Sequence, residues 1–312
     1  MNNIHQMQRL QEAAKTNGPL CVGLDTDPSY IPENILSKYK TPMKAVLAYN
    51  KALIKKCKPF MCCAKVQIAY YEAMGIEGLK TYVETLKALK EADIPVISDI
   101  KRGDIADTAK AYARAHFSGD FETDIITVNP YMGFDTLKPF TEWATKEKGG
   151  KGAFVLLCTS NPGMVDIEHQ KLEDGSLLLE RVGNELERIE QEYKAEYPEQ
   201  TCGPIGAVVG ATQTEDALYL RKKYPNILFL IPGYGAQGGA AEIAGTLLME
   251  AGGVVNSSRG ILCAWKKDES LAEKRESGTL TMADIVRAAA KAAKFSKKDL
   301  TKAKAKVEKK YK

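Results

Sequence analysis

The sequence predicts an α/β fold, a single (β/α)8 TIM barrel with eight parallel strands, because eight apolar runs alternate with segments of helical periodicity. The runs are LCVGLD (20–25), MCCAKVQ (61–67), IPVISDIK (94–101), DIITVNP (124–130), GAFVLLCTS (152–160), IGAVVGAT (205–212), ILFLIPG (227–233) and GGVVNSS (252–258). Such β-branched runs are typical of parallel strands that are buried on both faces. A chain of 312 residues is long enough for one such barrel.

The positions of the polar residues favour the barrel over an open, doubly wound sheet. Polar side chains stand at or just past the carboxyl ends of the runs, at Asp25, Asp99, Lys101, Asn129, Ser160, Thr212 and Arg259. In a barrel all of these ends converge on one mouth, whereas in an open sheet only the ends beside the switch point meet.

The segments between the runs carry helix signals. Between the second and third runs, apolar residues repeat near helical spacing at Leu79, Val83, Leu86 and Leu89. The sequences TQTE (212–215) and TMAD (281–284) match capping boxes that precede helices. The longest connection, residues 163–204, contains the amphipathic stretch LLLERVGNELERIEQEY, which we interpret as an extended crossover and not as a separate domain.

Composition argues against several other classes of protein. The chain has 44% hydrophobic and 27% charged residues, and it lacks the run of about 18 apolar residues that predicts a membrane span. Its N-terminal stretch, MNNIHQMQRLQEAAK, is polar and has no apolar signal-peptide centre. Seven cysteines, none of them in a C-x-x-C pair, indicate reduced thiols in a cytoplasmic protein and neither disulfides nor a zinc site.

The C-terminal end is strongly basic. Residues 291–312 contain ten lysines and two acidic residues, a net charge of +8, whereas the whole chain carries +4. We expect a barrel domain over residues 1–290, followed by a helical or disordered tail over 291–312. Such a tail could attract nucleic acid, but a solvated terminal helix is the preferred interpretation, and we expect no nucleic-acid partner.

The third run ends in a dense group of charges. Asp99 and Lys101 are two residues apart, so in a strand they point the same way, about 7 Å apart. Lys65 ends the second run and Asp25 the first, which predicts one layer of alternating charge at the barrel mouth, with Asp104 on the next loop. Salt bridges that only stabilise the mouth are the alternative, but two lysines and two acids on three successive strands favour a catalytic site.

A lysine that is held between carboxylates favours one kind of chemistry. Nearby negative charge keeps its ammonium protonated, which suits a proton donor and not a nucleophile or Schiff-base former. The expected reaction therefore develops negative charge beside the ammonium and ends with protonation, as in proton transfer or decarboxylation.

Two glycine-rich loops have the features of a phosphate site. PGYGAQGG (232–239) and NSSRG (256–260) follow strands seven and eight, where barrels usually bind phosphate, and Arg259 would donate to phosphate oxygens. Residues 233–238 also match G-x-G-x-x-G, but no acid ends the next strand to hold a ribose, so a dinucleotide site is not expected. Tight turning between strand and helix explains some of these glycines by itself.

Two further residues have less specific patterns. Ser160, in CTSNPG at the end of the fifth run, either hydrogen-bonds a flat, amide-bearing ring or starts a turn before Pro162. Asn129, before Pro130, either lines the mouth or caps a turn. Spacing alone leaves both alternatives open.

Together these motifs resemble the longer branch of the orotidine 5′-monophosphate decarboxylase family. The resemblance rests on Asp99-x-Lys101-x-x-Asp104-Ile105-x-x-Thr108, on Lys65, and on GLD (23–25), SNPG (160–163), PGYGAQGG and SSRG, in order over residues 20–262. It implies a homodimeric barrel that converts orotidine 5′-monophosphate to UMP and CO2 in pyrimidine biosynthesis, with no metal and no organic cofactor.

The resemblance also implies a role for each matched residue. Lys101 would protonate C6 of the pyrimidine after CO2 leaves, and Asp99 would sit against the substrate carboxylate. Asp104 would come from the partner subunit, with Ile105 and Thr108 nearby. The remaining roles are ribose binding by Asp25 and Lys65, pyrimidine recognition by Ser160, and phosphate binding by Gly235, Gln237 and Arg259. Asn129 stays a candidate substrate-binding residue on its place at the end of the fourth run alone.

Two rival functions stay open at this point. A metal-dependent sugar-phosphate decarboxylase of the same barrel superfamily shares the D-x-K-x-x-D pattern and would need Mg²⁺. A non-catalytic barrel that binds phosphate ligands, or nucleic acid through its tail, would not need Asp99, Lys101 and Asp104 to be intact.

Overall fold

Eight parallel strands form a closed barrel in the computed structural model, which describes residues 5–210, 214–234 and 238–311. Neighbouring strands pair in sequence order, and β8 closes on β1. The strands are β1 (Leu20–Gly23), β2 (Cys63–Gln67), β3 (Val96–Arg102), β4 (Ile125–Val128), β5 (Gly152–Cys158), β6 (Ile205–Val209), β7 (Phe229–Ile231) and β8 (Gly253–Ser257). The predicted barrel is therefore confirmed, with one strand in each of the eight runs.

Helices connect the strands and cover the outside of the barrel. In the described ranges they are α1 (Gln6–Asn17), α2 (Glu33–Leu36), α3 (Pro42–Cys57), α4 (Ile68–Glu72), α5 (Gly75–Glu91), α6 (Ala106–Phe117), α7 (Lys138–Thr141), α8 (Leu178–Glu196), α9 (Thr214–Lys223), α10 (Gly238–Leu247), α11 (Arg259–Leu262), α12 (Ala272–Glu276) and α13 (Met282–Tyr311). None of these described helices has both the length and the hydropathy that crossing a membrane requires.

Two local predictions about the helices are confirmed. The amphipathic stretch of the long connection forms α8, which contacts β5 and β6 and so acts as a crossover of the same barrel. A capping box begins α13, where the Asp284 N–H donates to Thr281 Oγ1 and the Thr281 N–H donates to Asp284 Oδ2. The other predicted capping box, at Thr212, lies outside the described residues.

The interior of the barrel has an apolar lower half. Alternate strand residues point inward and form one buried cluster with Cys21, Cys63, Ile97, Ile125, Phe154, Val208, Leu230 and Val254. Met7 and Leu10 of α1 belong to the same cluster, and α1 contacts β2, β5 and β8. Helix α1 therefore closes the amino-terminal end of the barrel, and the buried cluster forms an apolar floor beneath the mouth.

The cysteines are packed, reduced thiols, as predicted. All seven lie within the described ranges and are free, and six of them are buried. Burial raises the pKa of Cys57, Cys158 and Cys202 to about 12, so these three thiols stay protonated at neutral pH.

An arginine is buried between α9, α10 and the barrel. Arg221 is fully buried, and its guanidinium carbon lies 3.6 Å from the ring centroid of Phe229. The guanidinium donates to the main-chain carbonyls of Tyr224, Ile227, Leu247 and Gly252. A planar group with five donors thereby satisfies buried carbonyls of several segments that meet at the amino-terminal ends of β7 and β8.

The basic C-terminal segment is the second half of α13. This helix passes residues 290 and 291 without a break, so the expected domain boundary falls inside it. Residues 291–311 are helical, as expected, but they are not a solvated tail, because one face is buried and the helix contacts α3 and α10. The buried residues on this face are Ala293, Ser296, Leu300 and Val307.

Candidate active site at the barrel mouth

Four charged side chains form a continuous series of ion pairs at the carboxyl ends of β1, β2 and β3. Lys65 Nζ lies 3.0 Å from Asp25 Oδ1 and 2.9 Å from Asp99 Oδ2. Lys101 Nζ lies 2.7 Å from Asp99 Oδ1. The structure thus brings together Asp25, Lys65, Asp99 and Lys101 as the sequence predicted, and we refer to these four residues as the charged row.

The members of the charged row differ in their access to solvent. Lys65 and Asp99 are only 5% and 6% exposed, whereas the side chain of Lys101 is 48% exposed. Lys101 is therefore the member that a molecule entering the mouth would meet, and Lys65 and Asp99 lie behind it.

Burial and neighbouring charge shift the pKa values of Lys65 and Asp99 in opposite directions. Burial alone would lower the pKa of Lys65, but the carboxylates of Asp99 and Asp25 outweigh it and raise that pKa above its ordinary value. Burial alone would raise the pKa of Asp99, but the ammonium groups of Lys65 and Lys101 outweigh it and lower that pKa to about 2. At neutral pH, Lys65 therefore carries a proton and Asp99 does not.

The backbone that carries Lys101 is unusual. Its φ is +45°, in the left-handed region that residues with a side chain rarely adopt. The pairing of β3 with β4 is regular up to Ser98 and Ile126 and resumes at Arg102 and Val128. Three residues of β3 thus face one residue of β4, and this bulge sets the direction in which Lys101 leaves the strand.

Sequence reasoning missed three polar residues that support the charged row. The Thr127 hydroxyl donates to Asp99 Oδ1 at 2.9 Å, and the Ser258 hydroxyl donates to Asp25 Oδ2 at 2.7 Å. Asn256 Nδ2 in turn donates to Ser258 Oγ at 3.1 Å. A signal for Thr127 was available, since it precedes Asn129 by two residues and so points inward in a strand.

Asp104, Ile105 and Thr108 lie on the loop after β3 and in the first turn of α6. Asp104 Oδ1 accepts a hydrogen bond from the Ile105 N–H at 2.8 Å, Ile105 is 54% exposed, and Thr108 is also exposed. Within the described part of this single chain, none of the three makes a hydrogen bond or ion pair to the charged row. Their predicted roles across a subunit interface stay predictions.

The remaining predicted residues surround the mouth. Ser160 is exposed beyond β5 and packs against Gly210, where an added Cβ would lie 2.9 Å from Ser160 Cβ. Asn129 caps a turn, because its Oδ1 accepts from the Tyr131 N–H at 2.9 Å. Arg259 is exposed at the start of α11, directly after Ser258.

Two of the predicted phosphate ligands are not part of the described structure. Gly235 and Gln237 lie between β7 and α10, in the gap from residue 235 to residue 237. The described ends of this loop are Tyr234, next to β7, and Gly238, the first residue of α10. Their assignment as phosphate ligands therefore stays a prediction.

The sequence is similar to a known protein family and to curated proteins. Residues 18–274 match the profile of the orotidine 5′-phosphate decarboxylase / HUMPS family. The chain belongs to this family. An orotidine 5′-phosphate decarboxylase of Clostridium tetani is 49% identical over 264 residues, which cover 84% of this chain and 89% of that protein. A Clostridium novyi protein of the same name is 47% identical over 267 residues, or 85% of this chain and 91% of its own length.

Solved structures of the family have the same fold. The OMP decarboxylase of Leishmania donovani has a TM-score of 0.65 and 30% identity, covering 91% of this chain and 99% of that one. A putative orotidine 5′-phosphate decarboxylase of Streptomyces avermitilis has a TM-score of 0.73 and 28% identity, covering 98% of this chain and 99% of that one. The family resemblance that the motifs predicted is therefore confirmed.

Proposed function

We propose that this chain is an orotidine 5′-monophosphate decarboxylase, which converts orotidine 5′-monophosphate to UMP and CO2 in pyrimidine biosynthesis. The observation that carries the proposal is the charged row, which lies at the mouth of the barrel. Similar curated proteins of Clostridium tetani and Clostridium novyi, 49% and 47% identical, bear this name. The cytoplasmic location indicated by the cysteines stays a prediction.

Lys101 is the proton donor in the proposed reaction. Departure of CO2 leaves the electron pair of the broken bond on C6 of the pyrimidine. That carbon takes a proton from Lys101 Nζ, so that UMP forms and the ammonium becomes an amine, which regains a proton from water at the mouth. The half-exposed position of Lys101 and its 2.7 Å contact with Asp99 support this role, because the ammonium is both accessible and oriented.

Asp99 contributes through its fixed negative charge. With a pKa of about 2 it is ionised at neutral pH, and a substrate carboxylate placed beside it is repelled. The repulsion disappears when the substrate carboxylate leaves as neutral CO2. It therefore raises the energy of the bound substrate more than that of the transition state, which lowers the barrier.

The other residues around the mouth hold the parts of the substrate that do not react. Asp25 and Lys65 face the ribose hydroxyls, Ser160 faces the pyrimidine amide, and Arg259 binds the phosphate together with Gly235 and Gln237. Support for the phosphate end comes from the position of Arg259, exposed at the start of α11 and next to the charged row through Ser258. Phosphate binding far from C6 raises the rate only if its energy stabilises the transition state.

The active enzyme is a homodimer in this proposal, with Asp104 and Thr108 completing the partner's site. The loops after β3 and β4 expose three large apolar side chains, with Ile105 54%, Tyr131 76% and Met132 50% exposed. Large exposed apolar groups on loops beside a polar site are typical of an interface, and a second copy of this chain would remove them from water.

The first experiment follows the loss of orotidine-monophosphate absorbance with the purified chain, in the presence and absence of EDTA. We expect turnover that EDTA does not change, and near-complete loss of turnover in Lys101→Ala. Lys110→Ala is the control, since Lys110 is an exposed lysine on α6 that pairs only with Asp107 in the described structure. Turnover by Lys101→Ala at the wild-type rate would overturn its assignment as proton donor.

The metal-dependent sugar-phosphate decarboxylase is not favoured, because the similar curated relatives are named orotidine 5′-phosphate decarboxylases. Its signature in the same assay would be no turnover of orotidine monophosphate, together with EDTA-sensitive turnover of another sugar-phosphate acid. In the described ranges, no three His, Cys, Asp or Glu side chains are grouped so that they could hold a metal ion.

Subunit complementation tests the proposed dimer. Lys101→Ala and Asp104→Ala are each expected to be inactive alone. Mixing them at equal amounts with exchange of subunits gives about a quarter of the sites an intact Lys101 and an intact Asp104 from the partner. Activity near that fraction supports the shared site, whereas a mixture as inactive as its parents would show that Asp104 does not act across an interface.

A further inference from the structure

Thr127 of β4 stands alone opposite the three residues of β3 that form the bulge. The paired residues on either side are Ser98 with Ile126 and Arg102 with Val128, so Asp99, Ile100 and Lys101 face only Thr127. Thr127 is 1% exposed, and its side chain points into the barrel, as does that of Asp99. A single buried hydroxyl thus replaces the ladder of main-chain hydrogen bonds that the bulge interrupts.

The hydroxyl of Thr127 uses its full hydrogen-bonding capacity. Its oxygen accepts from the main-chain N–H of Ile100 at 3.0 Å and from that of Lys101 at 2.9 Å. A hydroxyl has two lone pairs and one proton, so both lone pairs are occupied and the proton must point elsewhere. It points to Asp99 Oδ1, at 2.9 Å. The direction of this donor is therefore fixed by the two acceptor bonds, and Asp99 Oδ1 accepts the hydrogen bond.

The three hydrogen bonds of Thr127 hold both members of the ion pair between Lys101 and Asp99. One bond holds the main-chain N–H of Lys101, whose φ of +45° costs energy in a residue with a side chain. Another holds Asp99 Oδ1, the atom that also receives Lys101 Nζ at 2.7 Å. Thr127 therefore connects the main chain of Lys101 to the carboxylate of Asp99, which the Lys101 ammonium contacts.

We propose that Thr127 is a positioning residue, which sets the place and direction of the Lys101 ammonium for proton transfer without touching the substrate. The inference rests on the proposed function, in which Lys101 is the proton donor. Because a buried hydroxyl with three partners has no freedom to move, the ammonium is held in place before substrate arrives. Valine has nearly the same shape but neither the donor nor the acceptors, so it removes the connection and keeps the packing.

The test compares Thr127→Val and Thr127→Ser with a matched control, Thr123→Val. Thr123 is also buried and bonds β3, through the carbonyl of Val96 at 3.3 Å, but at the opposite end of the strand. We expect Thr127→Val to lower kcat about 100-fold, since misplacing a catalytic group by about 1 Å costs this much, with KM for orotidine monophosphate nearly unchanged. Thr127→Ser keeps the hydroxyl and is expected to restore most of kcat, and Thr123→Val is expected to match the wild type.

Several results would overturn the inference. These are a wild-type kcat in Thr127→Val, an equal fall of kcat in Thr127→Ser, or the same fall in Thr123→Val, which would indicate a general effect of packing. If Thr127→Val does not fold, Thr127→Cys takes its place, because a thiol is a much weaker donor of similar size, and its kcat must fall well below that of Thr127→Ser. A wild-type chain that does not decarboxylate orotidine monophosphate contradicts the proposed function instead, and is recognised before any variant is measured.

Discussion

Lys65 is the member of the charged row that pairs with two carboxylates at once, so its removal tests whether the row is the catalytic site. Its Nζ lies 3.0 Å from Asp25 and 2.9 Å from Asp99, and the residue is 5% exposed, so Lys65→Met leaves both carboxylates without their shared partner. Removing one partner of a buried ion pair costs about 3–5 kcal/mol. If that cost falls on the transition state, kcat/KM drops by about a hundredfold to several thousandfold.

The assay measures kcat/KM with orotidine monophosphate and the free energy of unfolding in urea. Lys151→Met is the matched control, because Lys151 is 6% exposed and pairs with Glu122 at 3.0 Å, but immediately before β5, at the opposite end of the barrel. We expect this control to lose stability while its kcat/KM stays within about threefold of the wild type. A Lys65→Met variant within about tenfold of wild-type kcat/KM would refute the reasoning that the charged row is the catalytic site.

Three further substitutions test other parts of the structure. Burial raises the pKa of Glu190 to about 7 from 4.5. The folded protein therefore binds a proton there that the unfolded chain has released, and stability falls as pH rises from 4.5 to about 7. We expect Glu190→Gln to abolish this fall in the free energy of unfolding. Equal pH dependence of the free energy of unfolding in the two proteins would contradict the raised pKa of Glu190. Arg221→Lys leaves buried carbonyls without donors, so we expect the free energy of unfolding in urea to fall by about 3 kcal/mol while kcat stays unchanged. A stability equal to that of the wild type would argue against the role of the guanidinium. Leu300→Ala is expected to cost about 2–5 kcal/mol because Leu300 is fully buried, whereas the exposed Lys302→Ala serves as the neutral control, and equal effects would mean that α13 does not pack as described.

The charged row was predictable mainly because successive strands of a parallel barrel are neighbours. That rule places Lys65 between Asp25 and Asp99, and it needs only the order of the runs along the chain. The contact of Lys101 with Asp99 was also predicted, but from the alternation of a regular strand, whereas the structure makes it through the bulge.

The features that the sequence did not predict depend on exact register or on a helix face. The bulge at Asp99–Lys101, and with it the role of Thr127, requires knowing which residues of β3 and β4 pair. The packing of the second half of α13 was missed because ten lysines dominate its composition, while the buried positions are few and three to seven residues apart, as at Ala293, Ser296 and Leu300. The composition of a helix does not show which of its faces is buried, and here only the contacts with neighbouring helices identify that face.

The apolar floor beneath the charged row determines where its protons come from. With α1 closing the other end of the barrel, a proton that Lys65 or Lys101 exchanges with solvent passes through the same opening that the substrate fills. In an enzyme that acts as proposed, bound substrate therefore separates the charged row from bulk water. Its two lysines then keep the same protons until product leaves. In heavy water, the deuterium found at C6 of UMP would then report the isotope that Lys101 carried at the moment the substrate closed the opening.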